Sequence, residues 1–150
     1  MVNIDITVDQ VFKLANVWMG IDGRCNRPKS RSYKDYGARG IKLCEEWSGR
    51  PGQIRFVKWA LTNGWCPGLV LDRKNGHLGY SPENCRWVTN KQNCWNRIKG
   101  NRMITYLGET KCVAEWGEDP RCVIPKYQFQ QRIQCGWDIE RALTTPLRKW

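Results

Sequence analysis

The stretch from Leu69 to Lys99 constrains the chain most, because its order of elements is readable residue by residue. Leu69-Val70-Leu71-Asp72-Arg73 reads as a short β-strand. Lys74-Asn75-Gly76-His77-Leu78-Gly79 is a turn-rich connection in which Asn-Gly is the strongest signal. Cys85-Arg86-Trp87-Val88-Thr89 reads as a second strand. Thr89-Asn90-Lys91-Gln92 then has the Ser/Thr-x-x-Glu/Gln pattern of a capping box, which predicts a helix through about Ile98. The order strand, loop, strand, helix predicts a small mixed α+β fold built around a hairpin with a helix behind it.

Three zones follow from this, at 1–68, 69–100 and 103–150. In the first, Thr7-Val8-Asp9-Gln10 is another capping-box pattern. Val8, Val11, Phe12, Ala15, Trp18 and Met19 follow at helical spacing, predicting a helix that ends near Gly20. A basic loop comes next, and a second helix is expected over about Gln53 to Leu61. In the third zone a strand is expected over Met103 to Leu107 and a short helix over Lys111 to Trp116. Pro125 suits the first turn of a helix running to Cys135 with Gly136 as its stop, and Asp138 is placed to cap a last helix through Leu143. These small helices predict a helix-turn-helix-like C-terminal module.

The chain has 150 residues, 25 Lys plus Arg against 14 Asp plus Glu, and a formal charge of +11. So high a charge calls for a polyanionic partner. Nucleic acid is favoured, because each neutralised phosphate releases a condensed counterion. A membrane surface is disfavoured for want of a strong basic amphipathic helix. Hydrophobic residues make up 41%, enough for a modest core, and the nine Trp predict that it rests on a few large rings. No apolar run is long enough for a transmembrane helix. The opening MVNIDITVDQ has neither a basic nor an apolar leader region, so no secretory signal is expected. A reducing, cytoplasmic location is therefore expected, with the eight Cys as small buried apolar residues rather than disulfides. They form no closely spaced pair of the kind structural zinc sites use, which disfavours structural zinc and leaves open only a site assembled from distant Cys.

Asp72, at the end of the first strand, and Asn93, in the first turns of the helix, carry the chemistry of the central zone. A compact hairpin-plus-helix can bring their side-chain oxygens to one point. A carboxylate and an amide oxygen are hard ligands suited to Mg²⁺, with water and phosphate completing the shell. Asn84, in the connection, can bond backbone groups and hold its shape.

Leu71-Asp72-Arg73, Gly79-Tyr80-Ser81-Pro82-Glu83-Asn84-Cys85-Arg86-Trp87-Val88-Thr89 and Asn93 together resemble the HNH endonuclease motif. Upstream, Trp18-Met19, Arg24-Cys25 and Tyr36-Gly37-Ala38-Arg39-Gly40-Ile41 resemble the N-terminal part of small phage-type HNH proteins. The resemblance implies a ββα-metal fold and a phage-type, homing- or restriction-like DNA endonuclease. It implies Asp72 and Asn93 as ligands of Mg²⁺ or Mn²⁺, Asn84 as the structural Asn, and double-stranded DNA as partner. A homodimer fits a restriction-like role, and a phage-infected bacterial host is the implied setting. Arg73 stands where most HNH sites have the His that serves as general base, and Arg stays protonated near neutrality. An Asp-Arg branch of rare-cutting HNH restriction enzymes is similar. The resemblance implies that Arg73 binds phosphate there and stabilises transition-state charge. The water's proton then passes to another group, to bulk solvent, to His77 or to Tyr80. For His77 an exposed loop residue or a phosphate contact is favoured over a base, and the Tyr80 ring reads also as filling for the hairpin. A non-catalytic DNA-binding protein on a decayed HNH scaffold is the alternative.

Arg24, Arg27, Lys29, Arg31, Arg39 and Lys42, with Tyr33 and Tyr36 among them, read either as a track for a phosphate backbone or as a solvated loop. Arg97 is a further DNA-contact candidate at the end of the central helix. Lys126, Gln128, Gln130, Gln131, Arg132 and Gln134 crowd one predicted helix. Gln can read adenine and Arg guanine from the major groove, whereas the plainer reading is an ordinary polar helix face.

Overall fold

A computed structural model describes residues 6–96 and 101–148. The chain is a mixed α+β protein whose described residues form two small antiparallel sheets with helices around them. It divides into two compact units, Met1–Asn90 and Lys91–Trp150. The first two sequence zones therefore share one unit up to the start of the third helix.

In the first unit, α1 spans Val8–Asn26. Its start is the expected capping box: the Thr7 hydroxyl accepts from the Gln10 N–H at 3.3 Å, and the Gln10 side chain accepts from the Thr7 N–H at 3.0 Å. The helix runs past Gly20, where the sequence predicts its end. Each helical Gly costs about 1 kcal/mol. Ile21 and Cys25 continue the buried stripe begun by Leu14 and Trp18, and their burial outweighs that cost. α2 spans Gly49–Thr62 and starts earlier than Gln53. Gly52 is fixed there by close approach, since a Cβ would lie 2.1 Å from the Trp47 backbone.

Rings tie these elements to the hairpin. Trp18 donates its indole N–H to the Trp47 carbonyl at 2.8 Å. Trp47 meets Phe56 edge-on at 5.0 Å, and Trp59 and Trp65 of the helical side reach Trp87 at 6.1 and 6.5 Å. Strand β1, Val70–Arg73, pairs antiparallel with β2, Cys85–Val88. The register sets Leu71 against Trp87 and Asp72 against Arg86. Strand alternation therefore gives Leu71, Trp87 and Cys85 to the core and turns Asp72 and Arg86 to the other face. α3, Asn90–Trp95, follows β2 after Thr89; the expected helix end at Ile98 lies outside the described residues.

In the second unit, β3 (Met103–Tyr106) and β4 (Glu109–Cys112) form a hairpin through Leu107 and Gly108. Both turn residues have positive φ, 50° and 79°, as a two-residue type I′ turn requires. Lys111 and Cys112 are therefore strand, and only α4, Val113–Trp116, remains of the helix expected over Lys111 to Trp116. α5 is Lys126–Gln134 and α6 is Ile139–Thr144, the latter capped by Asp138, which accepts from the Arg141 N–H at 2.8 Å. The expected helix-turn-helix-like module is thus a β-hairpin followed by three short helices. Trp116, Phe129, Ile133 and Leu143 form its core.

All eight thiols are free. Cys25, Cys85 and Cys112 are buried as expected, whereas Cys66, Cys94 and Cys135 are exposed. Burial pushes the Cys25 thiol up to about 11 and Cys85 up to about 12. Among the described residues no helix is long and apolar enough to cross a membrane.

A charged lattice braces the second unit. Buried Asp119 accepts from Arg121 at 2.7 and 2.9 Å and from Lys111 at 2.7 Å, and Glu109 pairs with both cations. The Arg121 bonds hold the Asp119 carboxyl well below the usual carboxylate range. This stabilisation is complete above the unfolded value of about 3.9 and is lost as pH falls below it. Asp119→Asn should destabilise this unit by about 1 kcal/mol at neutral pH, because its partners stay hydrated. It should also flatten the acid limb of stability, both read by amide exchange at Trp116 and Phe129.

Candidate functional site

The site grows from the connection between β1 and β2. Its two ends are joined by the Lys74 N–H, which donates to the Asn84 carbonyl at 2.7 Å. The buried Asn84 side chain then ties down the middle. Its oxygen accepts from the Asn75 N–H at 3.0 Å, and its amide donates to the carbonyls of Asn75 at 3.1 Å and Gly79 at 2.8 Å. Asn75 in turn accepts from the His77 N–H at 2.9 Å. Arg73 closes the tip, with Nη1 donating to the carbonyls of Gly76 at 2.9 Å and Leu78 at 2.7 Å.

Gly79 presses this connection onto the strand-like segment at 42–44. A Cβ there would lie 2.3 Å from the Lys42 carbonyl oxygen. Tyr80 donates its N–H to Lys42, and its carbonyl accepts from the Cys44 N–H, each at 2.8 Å. The Tyr80 side chain is thereby buried 6.3 Å from the Tyr36 ring and nearly parallel to it. The Arg73 guanidinium lies over both rings, at 5.1 Å from Tyr36 and 5.0 Å from Tyr80. Arg24, from α1, sits 5.1 Å from the Tyr36 centroid and donates to the Tyr80 hydroxyl at 3.3 Å. Burial, with a smaller push from Tyr36, raises the Tyr80 hydroxyl to about 12 against the pull of the two arginines.

Asp72 is buried on the far face of β1, and its Oδ2 accepts from Arg86 Nε at 3.0 Å. His77 is exposed on the connection. Asp72 belongs to the first compact unit and half-buried Asn93, in α3, to the second, and each is described in its own unit. Arg97 lies outside the described residues.

The basic loop is shaped rather than extended. Single 3₁₀ turns at Tyr33–Asp35 and Gly37–Arg39 fold it back on α1, where Gly37 packs too close to Cys25 and Tyr33 for any side chain. Lys29, Arg31, Arg39 and Lys42 are exposed on it, while Arg27 pairs with Asp22 at 3.3 Å. On α5 the expected row of base readers is broken up. Arg132 turns inward to the carbonyls of Ala142, Thr145 and Pro146, closing the end of α6, and lies 4.7 Å over Trp137. Lys126 pairs with Glu118 at 2.5 Å, and Gln128 donates to the Tyr127 hydroxyl at 2.9 Å. Gln131 is exposed and Gln130 half-buried.

Two contacts of the site escape a reading of the sequence. Arg86 meets Asp72 only through the strand register, which a connection of irregular length leaves open. Tyr36 meets Tyr80 only through the packing of Gly79 on Lys42. No family model, curated protein or solved structure matches the chain.

Asn84→Ala removes three hydrogen bonds and leaves buried backbone groups unmet. It should destabilise the first unit by about 2–3 kcal/mol and speed amide exchange at Asn75 and Leu78 more than in α1.

Proposed function

We propose that the chain is a metal-dependent DNA endonuclease of the HNH kind, hydrolysing phosphodiester bonds at preferred sites. The observation that carries this reading is the threefold tether of the hairpin connection by Asn84, beside the buried carboxylate of Asp72. A connection held so firmly fixes the backbone that follows Asp72 and Arg73, and a fixed backbone is what positioning of a scissile phosphate demands. The charge of +11 supplies the attraction for the polyanion.

The donor set fits Mg²⁺ or Mn²⁺. Among the described residues there is no group of three or more His, Cys, Asp or Glu that could hold a metal ion by itself, so water and phosphate would have to complete the shell. The Asp72 carboxylate is a hard ligand that suits an ion which keeps several waters and takes phosphate oxygen. Such an ion, when bound, offsets charge at the scissile phosphate. Arg86 holds the Asp72 carboxylate in place. Arg73 contributes a fixed positive charge while bracing the loop through Nη1. A Tyr80 hydroxyl raised to about 12 stays protonated and serves to position the arginines rather than to take a proton. Exposed His77 or solvent is left to receive it, and solvent is the reading adopted, because His77 is fixed only through its backbone N–H. The C-terminal unit, with Gln131 outward on α5, serves site recognition in this account.

The second reading is a DNA-binding protein without catalysis. It is favoured by Arg73, which occupies the usual place of the base and is engaged with the Gly76 and Leu78 carbonyls. Incubation of supercoiled plasmid with Mg²⁺ or Mn²⁺ separates the two. Nicking or cutting should appear, vanish with chelator, and fall at least about 100-fold in Asp72→Ala. The rate should climb with pH through neutrality without a plateau, and His77→Ala should stay within about threefold of the parent. DNA retention without any cutting would establish the second reading.

A further inference from the structure

Arg24 and Arg73 approach the same ring from different elements, α1 and β1, each 5.1 Å from the Tyr36 centroid. The two guanidiniums are thus within twice that distance of each other. Both are half-buried, and among the described residues neither has a carboxylate within 4.0 Å. Like charges held this close repel one another, and partial burial strengthens the repulsion. The fold nevertheless fixes both. Arg24 Nε donates to the Gly20 carbonyl at 3.1 Å and Nη1 to the Tyr80 hydroxyl, and Arg73 Nη1 donates to two carbonyls of the connection.

A guanidinium carries five N–H donors in a rigid fork. Arg24 also meets the Tyr36 hydroxyl, and the bonds just described leave Nε and Nη2 of Arg73 without a hydrogen bond among the described residues. Tyr36 and Tyr80 supply ring faces that steady the cations without neutralising them. What the arrangement lacks is an acceptor-only group of negative charge. A tetrahedral phosphoryl group meets that need, since its oxygens accept from two forks at once.

We propose that Arg24 and Arg73, set around Tyr36 and Tyr80, form a two-arginine clamp for one phosphoryl group. Its source is a phosphodiester of the nucleic-acid backbone. Free phosphate shares the chemistry and serves as the minimal probe. The clamp lies wholly within the unit Met1–Asn90 and stands apart from the divalent-ion reading of Asp72. Its backbone ligand rests on the nucleic-acid partner proposed above.

The test uses the full chain titrated with inorganic phosphate, and separately with a short DNA duplex, without divalent metal. Arginine Nε–H resonances of the parent protein are followed, so that no variant is needed for the first readout. Phosphate should shift Arg24 and Arg73 together and saturably. Arg24→Gln should weaken phosphate and duplex binding at least tenfold, whereas Lys34→Gln, on the exposed loop, should leave phosphate binding unchanged. Tyr36→Phe, which keeps the ring face, should bind phosphate as the parent does. Shifts that never saturate, or that spare these two arginines, overturn the clamp. Phosphate saturation with loss in Arg24→Gln, but no change in duplex binding, would overturn the phosphodiester source and leave a free-phosphate site. A clamp that saturates in a protein that never cuts DNA would refute the nuclease reading alone.

Discussion

The arginine at 73 does the work on which the first unit's functional face depends. It fastens the carbonyls of Gly76 and Leu78 and lies across Tyr36 and Tyr80. One side chain thereby joins the hairpin connection to the turns after α1. Asn84 completes the hold from beneath, and Gly79 allows the contact with Lys42 that brings Tyr80 inward. A connection without these ties would be free to sample many conformations, and Asp72 and His77 would have no fixed relation. The same tie accounts for an arginine at this position. Bracing the loop needs a long planar donor, and a histidine could not reach both carbonyls.

Local signals carried much of the secondary structure. Thr7 and Gln10 fixed the start of α1, Asp138 that of α6, and the runs at 69–73 and 85–89, parted by a turn-rich connection, the two strands. The departures have tertiary causes. α1 continues through two glycines because Ile21 and Cys25 have a core to enter, and nothing in the local sequence announces that core. Lys111 looks helical by its neighbours, but a Leu107-Gly108 turn of positive φ commits it to a strand. Asn84 was legible as a loop-holding residue because an amide both donates and accepts. The Asp72–Arg86 pair was not, since it depends on register across a connection whose length fixes none.

The net positive charge is shared between the units, +6 over residues 1–90 (14 Lys plus Arg, 8 Asp plus Glu) and +5 over residues 91–150 (11 against 6), but its surroundings differ. In the second unit Lys111, Arg121 and Lys126 pair with acidic side chains, and Arg132 closes a helix end. Their charges support folding there. In the first unit Lys29, Arg31, Arg39 and Lys42 are exposed, and Arg24 and Arg73 rest on rings rather than on carboxylates.

A divalent ion at Asp72 is the claim on which the catalytic account turns. Paramagnetic broadening of backbone amides by substoichiometric Mn²⁺, recorded on the full chain without DNA, tests it directly. The account predicts broadening centred on Asp72 and Arg73, absent in Asp72→Asn. Broadening centred on the Glu109 and Asp119 cluster, or none near β1, would contradict it.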